Sequence, residues 1–336
     1  MGKKNISTFV ADSTRLASHL NCDGSFFLNN MVNKPAHTIA DQITLLKQRG
    51  MLFRDEPGAH ICLANINYYR LRGYWWDMQS DYTRHIFKSD TYFEDVINRY
   101  NFDRSLRLIL FDAIERIEIA LRTRIIYHLS IAYGGLWYMN PTLFDNTTIT
   151  ANGKSVYENA LDALQSEIDR TQEIFIKEHF TYYPNQPADA WKALEVASMG
   201  TLSKLYKSLK DHLPEKSIIA KEMGINSPPV LSGWLEAIVC IRNIIAHHSR
   251  LWGYNMTKTP ASRLNNPSGQ WFISQLSDVQ RKKPYLIISC MIYLCNHISP
   301  GHQIKTMIRT LIDANPAIPV YKLGFLNQWK NEPIWK

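Results

Sequence analysis

The chain has 336 residues, of which 45% are apolar and 20% charged, so it can bury a sizeable globular core. Its five cysteines show no CxxC or Cys/His finger spacing, which argues against a disulfide scaffold or a structural zinc site and predicts a reducing compartment. The formal net charge of +8 indicates a polyanionic partner and ranks nucleic acid ahead of a membrane.

The ends of the chain carry no clear membrane or export signal. Residues 1–33 are polar and are predicted to form an irregular N-terminal arm, and no apolar segment follows the basic start, so no signal peptide is predicted. The longest apolar run, 285–295, is too short to cross a bilayer and predicts a buried helix. We therefore expect a cytoplasmic protein with no membrane partner.

Residues 34–94 are predicted to form a small helical module. A first helix begins near Thr38, where Asp41 completes a capping-box pattern, and ends at Gly50. A second short helix is predicted over 57–65.

The segment INYYRLRGYWW follows this module's second helix and interleaves aromatic residues with Arg70 and Arg72. Aromatic rings that stack on bases and arginines that neutralise phosphates are typical of contacts with single-stranded RNA. The alternative interpretation is that most of these aromatic residues are core and that the arginine side chains reach solvent.

Residues 95–300 are predicted to form the main helical domain, and 301–336 a C-terminal helix and tail. A long helix is expected from Asp103 to Leu129, because apolar residues recur there three and four positions apart. Strand-like alternation is scarce, so the predicted fold class is all-α, a helical bundle. Further helices are predicted over 156–178, from Ala190 with a possible interruption at Gly200, and over 228–248, 283–297 and 302–314.

The predicted helix containing WLEAIVCIRNIIAHHSRLW holds a charge among its apolar residues. Its apolar stripe consists of Leu231, Trp234, Leu235, Ile238, Ile241 and Ile245. Arg242 falls within that stripe, although burying an unpaired arginine would cost several kcal/mol. A second, more polar stripe on roughly the opposite side contains Glu236, Cys240, Asn243 and His247. On an ideal helix, Arg242 and His247 lie about 140° apart.

An arginine and a histidine together can cleave RNA without a metal. The guanidinium fork binds a phosphodiester and stabilises its developing charge, while the imidazole takes a proton from the 2′-hydroxyl or gives one to the departing 5′-oxygen. The alternative is that Arg242 pairs with a buried carboxylate and His247 caps helix carbonyls. A metal-dependent enzyme is disfavoured, since no HExxH, P-loop or other ligand pattern is found.

The segment RNIIAHHSRLWGYN resembles the signature of the Abi-like abortive-infection family of bacteria (AbiF/AbiD type), part of the HEPN superfamily. Arg242, Asn243 and His247 occupy the places of its R-x4-6-H motif. KPAHTIADQITLLKQRGM, INYYRLRGYWW and LEVASMGTLSKLY are similar to further parts of the family. Gly253–Tyr254 departs from the family, in which an Asn-Arg type pair is common after the tryptophan.

This resemblance implies an all-α HEPN bundle that acts as a toxin-like, metal-independent endoribonuclease in antiphage defence, with no cofactor. It also implies a homodimer in which the two motifs meet in one cleft, with RNA as substrate and a small structured RNA as a regulatory partner. Much of the apolar stripe would then be a subunit interface. The alternative function is a non-catalytic RNA-binding protein. The expected catalytic residues are Arg242, Asn243 and His247, and the expected substrate-binding residues are His248, Arg250, Glu195, Arg70 and Arg72.

Overall fold

The computed structural model describes residues 36–262 and 271–336, so the predicted irregular arm at 1–33 lies outside the described residues. Helices dominate the described ranges, where the paired strands are limited to one two-stranded sheet. The prediction of an all-α helical bundle is confirmed.

The chain divides into two compact units, each formed by two separate segments of the chain, so no single cut near residue 94 separates them. The first contains the described residues up to Tyr68 together with Met78–Phe93, and the second contains Tyr69–Asp77 together with Glu94–Lys336. The aromatic and basic segment after Asn67 therefore belongs, for the most part, to the larger unit.

Two helices and a short hairpin form the first unit: α1 Ile39–Gln48, α2 Glu56–Asn65, β1 Gln79–Asp81 and β2 Ile86–Phe87, with the strands antiparallel. At the start of α1, the Thr38 hydroxyl accepts the N–H of Asp41 while the Asp41 carboxylate accepts the N–H of Thr38. Gly50 follows the C-cap with a φ of +89°. The predicted beginning and end of this helix are confirmed.

The second unit holds the remaining helices. They are α3 Tyr68–Trp75, α4 Phe93–Tyr133, α5 Val156–Arg170, α6 Ile174–Tyr182, α7 Ala190–Ala193, α8 Met199–Ser208, α9 Pro214–Glu222, α10 Pro228–Ala246, α11 Asp278–Arg281, α12 Pro284–Ile298 and α13 Ile304–Asp313. The first residues of α3 and α4, Tyr68 and Phe93, still belong to the first unit. Short 3-10 turns complete the unit, including one at Leu194–Val196.

The long helix α4 begins earlier than its apolar pattern suggested. Its buried stripe continues N-terminally from Leu106 through Phe102 and Val96 to Phe93, all of them at most 2% exposed. The helix therefore begins at Phe93, upstream of the predicted start at Asp103, because the same apolar face stays buried over those residues.

Two predicted helix boundaries were wrong. The helix expected over 156–178 is divided into α5 and α6, since Thr171 is extended and its hydroxyl accepts the N–H of Glu173, which competes with helical pairing. Gly200 does not interrupt a helix. The break lies at Ser198, which is extended and whose hydroxyl accepts the N–H of Thr201 at the start of α8.

Helix α10 is a core helix of the second unit. It packs against α8 and α12, and its apolar stripe is buried within the chain. By length and composition alone, α10 could span a membrane, but buried helices of this kind meet the same criterion. The stripe is therefore core, and the expectation that much of it forms a subunit interface was wrong. The exposures of its members run from 0% to 6% for Leu231, Trp234, Leu235, Ile238, Ile241 and Ile245.

Candidate functional site

The C-terminus of α10 ends in a tight turn. His247 is the C-cap, His248 donates its N–H to the Ile245 carbonyl, and Ser249 donates to the Ile244 carbonyl, both at 2.9 Å. This is the Schellman arrangement, which normally places glycine where His248 stands. His248 has a φ of +55°. A side chain in this conformation costs about 1–2 kcal/mol, so the surrounding contacts must hold the turn.

Asn243 and His247 meet in one open groove at this turn. Both residues are exposed, and they are one helical turn apart on α10. The groove has a volume of about 310 Å³. Its other lining residues are Cys240, Ile244, Ser249, Tyr254, Met256 and Thr257. Two of the three predicted catalytic residues are therefore neighbours in the folded chain.

Arg242 is not among the residues that line this groove. Its residue is partly exposed, and within the described residues its guanidinium makes no hydrogen bond or ion pair. Its charge acts on Glu118 of α4: burial raises the pKa of Glu118, while the charges of Arg122 and Arg242 oppose that rise. The arginine thus lies within electrostatic range of Glu118 and outside the groove of His247.

A carboxylate–arginine cluster is centred on Arg122. Arg122 Nη2 donates to Glu118 Oε1 and to the Ala197 carbonyl, each at 2.9 Å, and its Nη1 lies 3.8 Å from Glu195 Oε2. Glu195 lines a second groove, with Glu167 and Arg170. The predicted substrate-binding residue Glu195 is therefore placed near Arg122 rather than at the His247 groove.

Arg250 is engaged with the protein backbone. Its Nη1 donates to the Gly73 carbonyl at 3.0 Å and to the Trp252 carbonyl at 2.6 Å. A β-carbon on Gly73 would lie only 2.6 Å from Arg250 Cδ, so this approach requires the glycine. The residue remains exposed, and its predicted contact with a substrate phosphate stays a prediction.

The two arginines of α3 have different partners. Arg70 Nη2 donates to the His248 carbonyl at 2.5 Å, and the Arg72 guanidinium lies 5.2 Å from the ring centre of the exposed Trp76. Tyr74 and Trp75 are each 1% exposed, so these two aromatic residues are core, as the alternative interpretation had it. Arg70 therefore connects α3 directly to the turn that follows His247.

Two residues of this site were missed by sequence reasoning. Asp103, which is fully buried, and Arg107, which is 7% exposed, contact the backbone of residues 248–252. A signal for Asp103 existed: it precedes Leu106 and Leu110 by three and seven positions, so it places a carboxylate on an apolar stripe. Arg242 shows the same pattern, a charged residue on an apolar stripe.

No group of three or more His, Cys, Asp or Glu side chains within the described residues is arranged to hold a metal ion. Metal-independent chemistry stays a prediction.

The fold and this helix end define a helical protein with an Arg-Asn-x3-His sequence at the C-terminus of a core helix. A family model described as Abi-like protein matches residues 61–253, more than half of the chain. The chain belongs to the Abi-like family. No curated protein and no solved structure matches it. Membership supports a role in abortive infection and is compatible with a nuclease.

Proposed function

We propose that this protein is a metal-independent endoribonuclease of the HEPN type that acts in abortive-infection defence. His247 would remove the proton from a 2′-hydroxyl, the oxygen would attack the adjacent phosphorus, and the P–O5′ bond would break as the 5′-oxygen takes a proton from water or from the imidazolium so formed. The products are a 2′,3′-cyclic phosphate and a 5′-hydroxyl. Arg242 would stabilise the charge on the phosphate oxygens, and Asn243 would hydrogen-bond the reacting group.

The observation that carries this proposal is the open groove in which Asn243 and His247 lie side by side at the exposed end of α10. An imidazole within reach of an amide, in a basic chain, can act on a phosphodiester. Arg242 supports the proposal because its guanidinium is partly exposed and makes no hydrogen bond or ion pair with any residue of 36–262 or 271–336.

A homodimer is part of the proposal. Arg242 and His247 lie on different sides of α10, so one chain does not bring them together, whereas a second copy can supply the missing group. An isologous interface would create two equivalent composite sites. The basic residues next to the turn, His248, Arg250, Arg70 and Arg72, are the proposed contacts for RNA phosphates, and a cytoplasmic location and a small regulatory RNA complete the hypothesis.

The separation of Arg242 from His247 also favours a second candidate function. A protein that binds a structured RNA without cutting it needs the basic surface but no convergence of these two side chains. In that case, replacing His247 would leave RNA binding unchanged and the bound RNA would keep its original ends.

The test is a cleavage assay with the full chain, single-stranded RNA and excess EDTA. His247→Ala is expected to reduce the cleavage rate by about 10²–10⁴-fold and Arg242→Ala by about 10²–10³-fold, since each removes a group needed in the transition state. The exposed His60 in the first unit provides a matched control, and His60→Ala should cleave like the wild type.

End-group analysis of the products should give a 2′,3′-cyclic phosphate, and RNA with a 2′-deoxy nucleotide at the cleaved position should remain intact. Cleavage that disappears in EDTA, or that is indifferent to both substitutions, would refute the proposal. RNA binding without cleavage would establish the second candidate instead.

A further inference from the structure

The carbonyl oxygen of His248 carries two guanidinium donors. Arg70 Nη2 lies 2.5 Å from it and Arg107 Nη1 lies 2.7 Å from it. A carbonyl has two lone pairs, so both are occupied by charged donors. These contacts hold the left-handed residue of the turn directly after His247.

A buried carboxylate holds the next part of the same segment. Asp103 Oδ1 accepts the N–H groups of Leu251 and Trp252 at 3.1 and 2.9 Å, and Oδ2 accepts the Tyr74 hydroxyl at 2.8 Å. Arg107 Nε lies 3.4 Å from the same carboxylate. Leu251 and Trp252 are themselves buried, so the segment is fixed by packing as well as by these bonds.

Burial raises the pKa of Asp103, while its hydrogen bonds and the charge of Arg107 oppose that rise. Water does not compete for these bonds, because the carboxylate is fully buried. Asp103 and Arg107 thus form one rigid unit on α4 that contacts residues 248–252.

Resting on the endoribonuclease function, we propose that Asp103 and Arg107 are positioning residues for His247. Through Asp103, Arg107 and the carbonyl of His248, α4 fixes the end of α10, and with it the place of the imidazole relative to the bound phosphodiester. Displacement of a reacting group by about 1 Å can cost about 10²-fold in rate, so a turn that does not relax serves the reaction directly.

The experiment compares Asp103→Asn and Arg107→Met with a matched pair on the same helix. Asp112 and Arg116 have the same residue types and spacing as Asp103 and Arg107, and they form a 2.9 Å ion pair that is about 40% exposed. Asp112→Asn and Arg116→Met should therefore leave cleavage at the wild-type rate.

For Asp103→Asn and Arg107→Met, we expect kcat for RNA cleavage to fall by about 10- to 100-fold, because the imidazole of His247 loses its position. KM should rise by a smaller factor than kcat falls, because only two of the proposed RNA contacts, His248 and Arg250, lie in the displaced segment. Arg107→Lys keeps the charge beside Asp103 and should recover part of kcat. An unchanged kcat, or a loss of activity that follows the unfolded fraction in the same samples, would contradict the inference.

A second measurement does not depend on cleavage. The His247 imidazole resonances, assigned by comparison with His247→Gln in ring-labelled protein, should shift in Asp103→Asn and Arg107→Met but not in the Asp112 and Arg116 variants. If the wild type does not cut RNA, the proposed endoribonuclease function is refuted. The resonances still test whether Asp103 and Arg107 position the ring of His247. A shift supports positioning of the ring, and unshifted resonances overturn it.

Discussion

His248 has a strained backbone conformation that its hydrogen bonds maintain. Its φ of +55° lies in the left-handed region, which glycine adopts at almost no cost but a bulky side chain does not. The backbone remains there because its N–H bonds Ile245 and its carbonyl accepts from Arg70 and Arg107. Residues held in such conformations are concentrated at functional sites, and here the strained position directly follows the proposed catalytic histidine.

Replacing His248 by glycine should stabilise the fold. All of the backbone hydrogen bonds of His248 can remain, while the steric cost of its β-carbon disappears, so we expect His248→Gly to raise the free energy of unfolding by about 1 kcal/mol. Urea denaturation measures the effect. His248→Ala keeps the β-carbon and should show no such gain. If both variants lose RNA affinity equally, the imidazole of His248 contacts the substrate.

Charged residues on apolar stripes have two different explanations in this molecule. Asp103 is fully buried and finds its partners inside the chain, in Tyr74, Arg107 and the backbone of the turn. Arg242 is partly exposed, and Glu118, on which its charge acts, is already bonded to Arg122. The same sequence anomaly therefore marks an internal anchor in one helix and an incompletely partnered charge in the other.

At the scale of elements, the start of α8 shows why helix boundaries are decided by side-chain hydrogen bonds. The Ser198 hydroxyl accepts the N–H of Thr201, and the Glu167 carboxylate accepts the N–H of Ser198. Gly200 follows inside the first turn, without a positive φ. A glycine weakens a helix, but the capping serine fixes where this helix begins.

Substitutions at these two positions should act in opposite directions. Ser198→Ala removes the cap and is expected to lower the free energy of unfolding by about 1 kcal/mol. Gly200→Ala should raise it by about 0.5–1 kcal/mol, because the added methyl group would meet Ser198 and Val239 at ordinary contact distances of 3.7 and 3.9 Å. Thermal or urea unfolding of both variants provides the check, and a destabilised Gly200→Ala would show that the helix is interrupted there after all.

At the scale of the whole molecule, the question is how Arg242 and His247 can act on the same RNA phosphate. His247 lines the groove and Arg242 does not, and on a helix the two positions are about 140° apart. The core packing of α10 against α8 and α12 prevents the helix from rotating to bring the two side chains together. The proposed composite site between two copies would bring an arginine and a histidine together without moving the core.

Mixed dimers test this arrangement. A heterodimer of an Arg242→Ala chain and a His247→Ala chain, isolated with two different affinity tags, should retain about half of the wild-type cleavage rate, since one of its two composite sites is intact. Two differently tagged Arg242→Ala chains should be inactive. An inactive mixed heterodimer would mean that each site takes both residues from one chain, and a protein that sediments only as a monomer would exclude composite sites altogether.

By itself, the sequence determined the helical class, the capped ends of α1, the buried stripe of α10 and the place of Asn243 and His247 together on its open side. These features follow from periodicity and capping, which depend only on residues near one another in the chain. The tertiary structure alone decided that the α10 stripe is core rather than interface, that Glu195 pairs with Arg122, and that Asp103 and Arg107 hold the turn after His247. Each of these depends on which distant side chain meets a given atom, and local spacing carries no information about that.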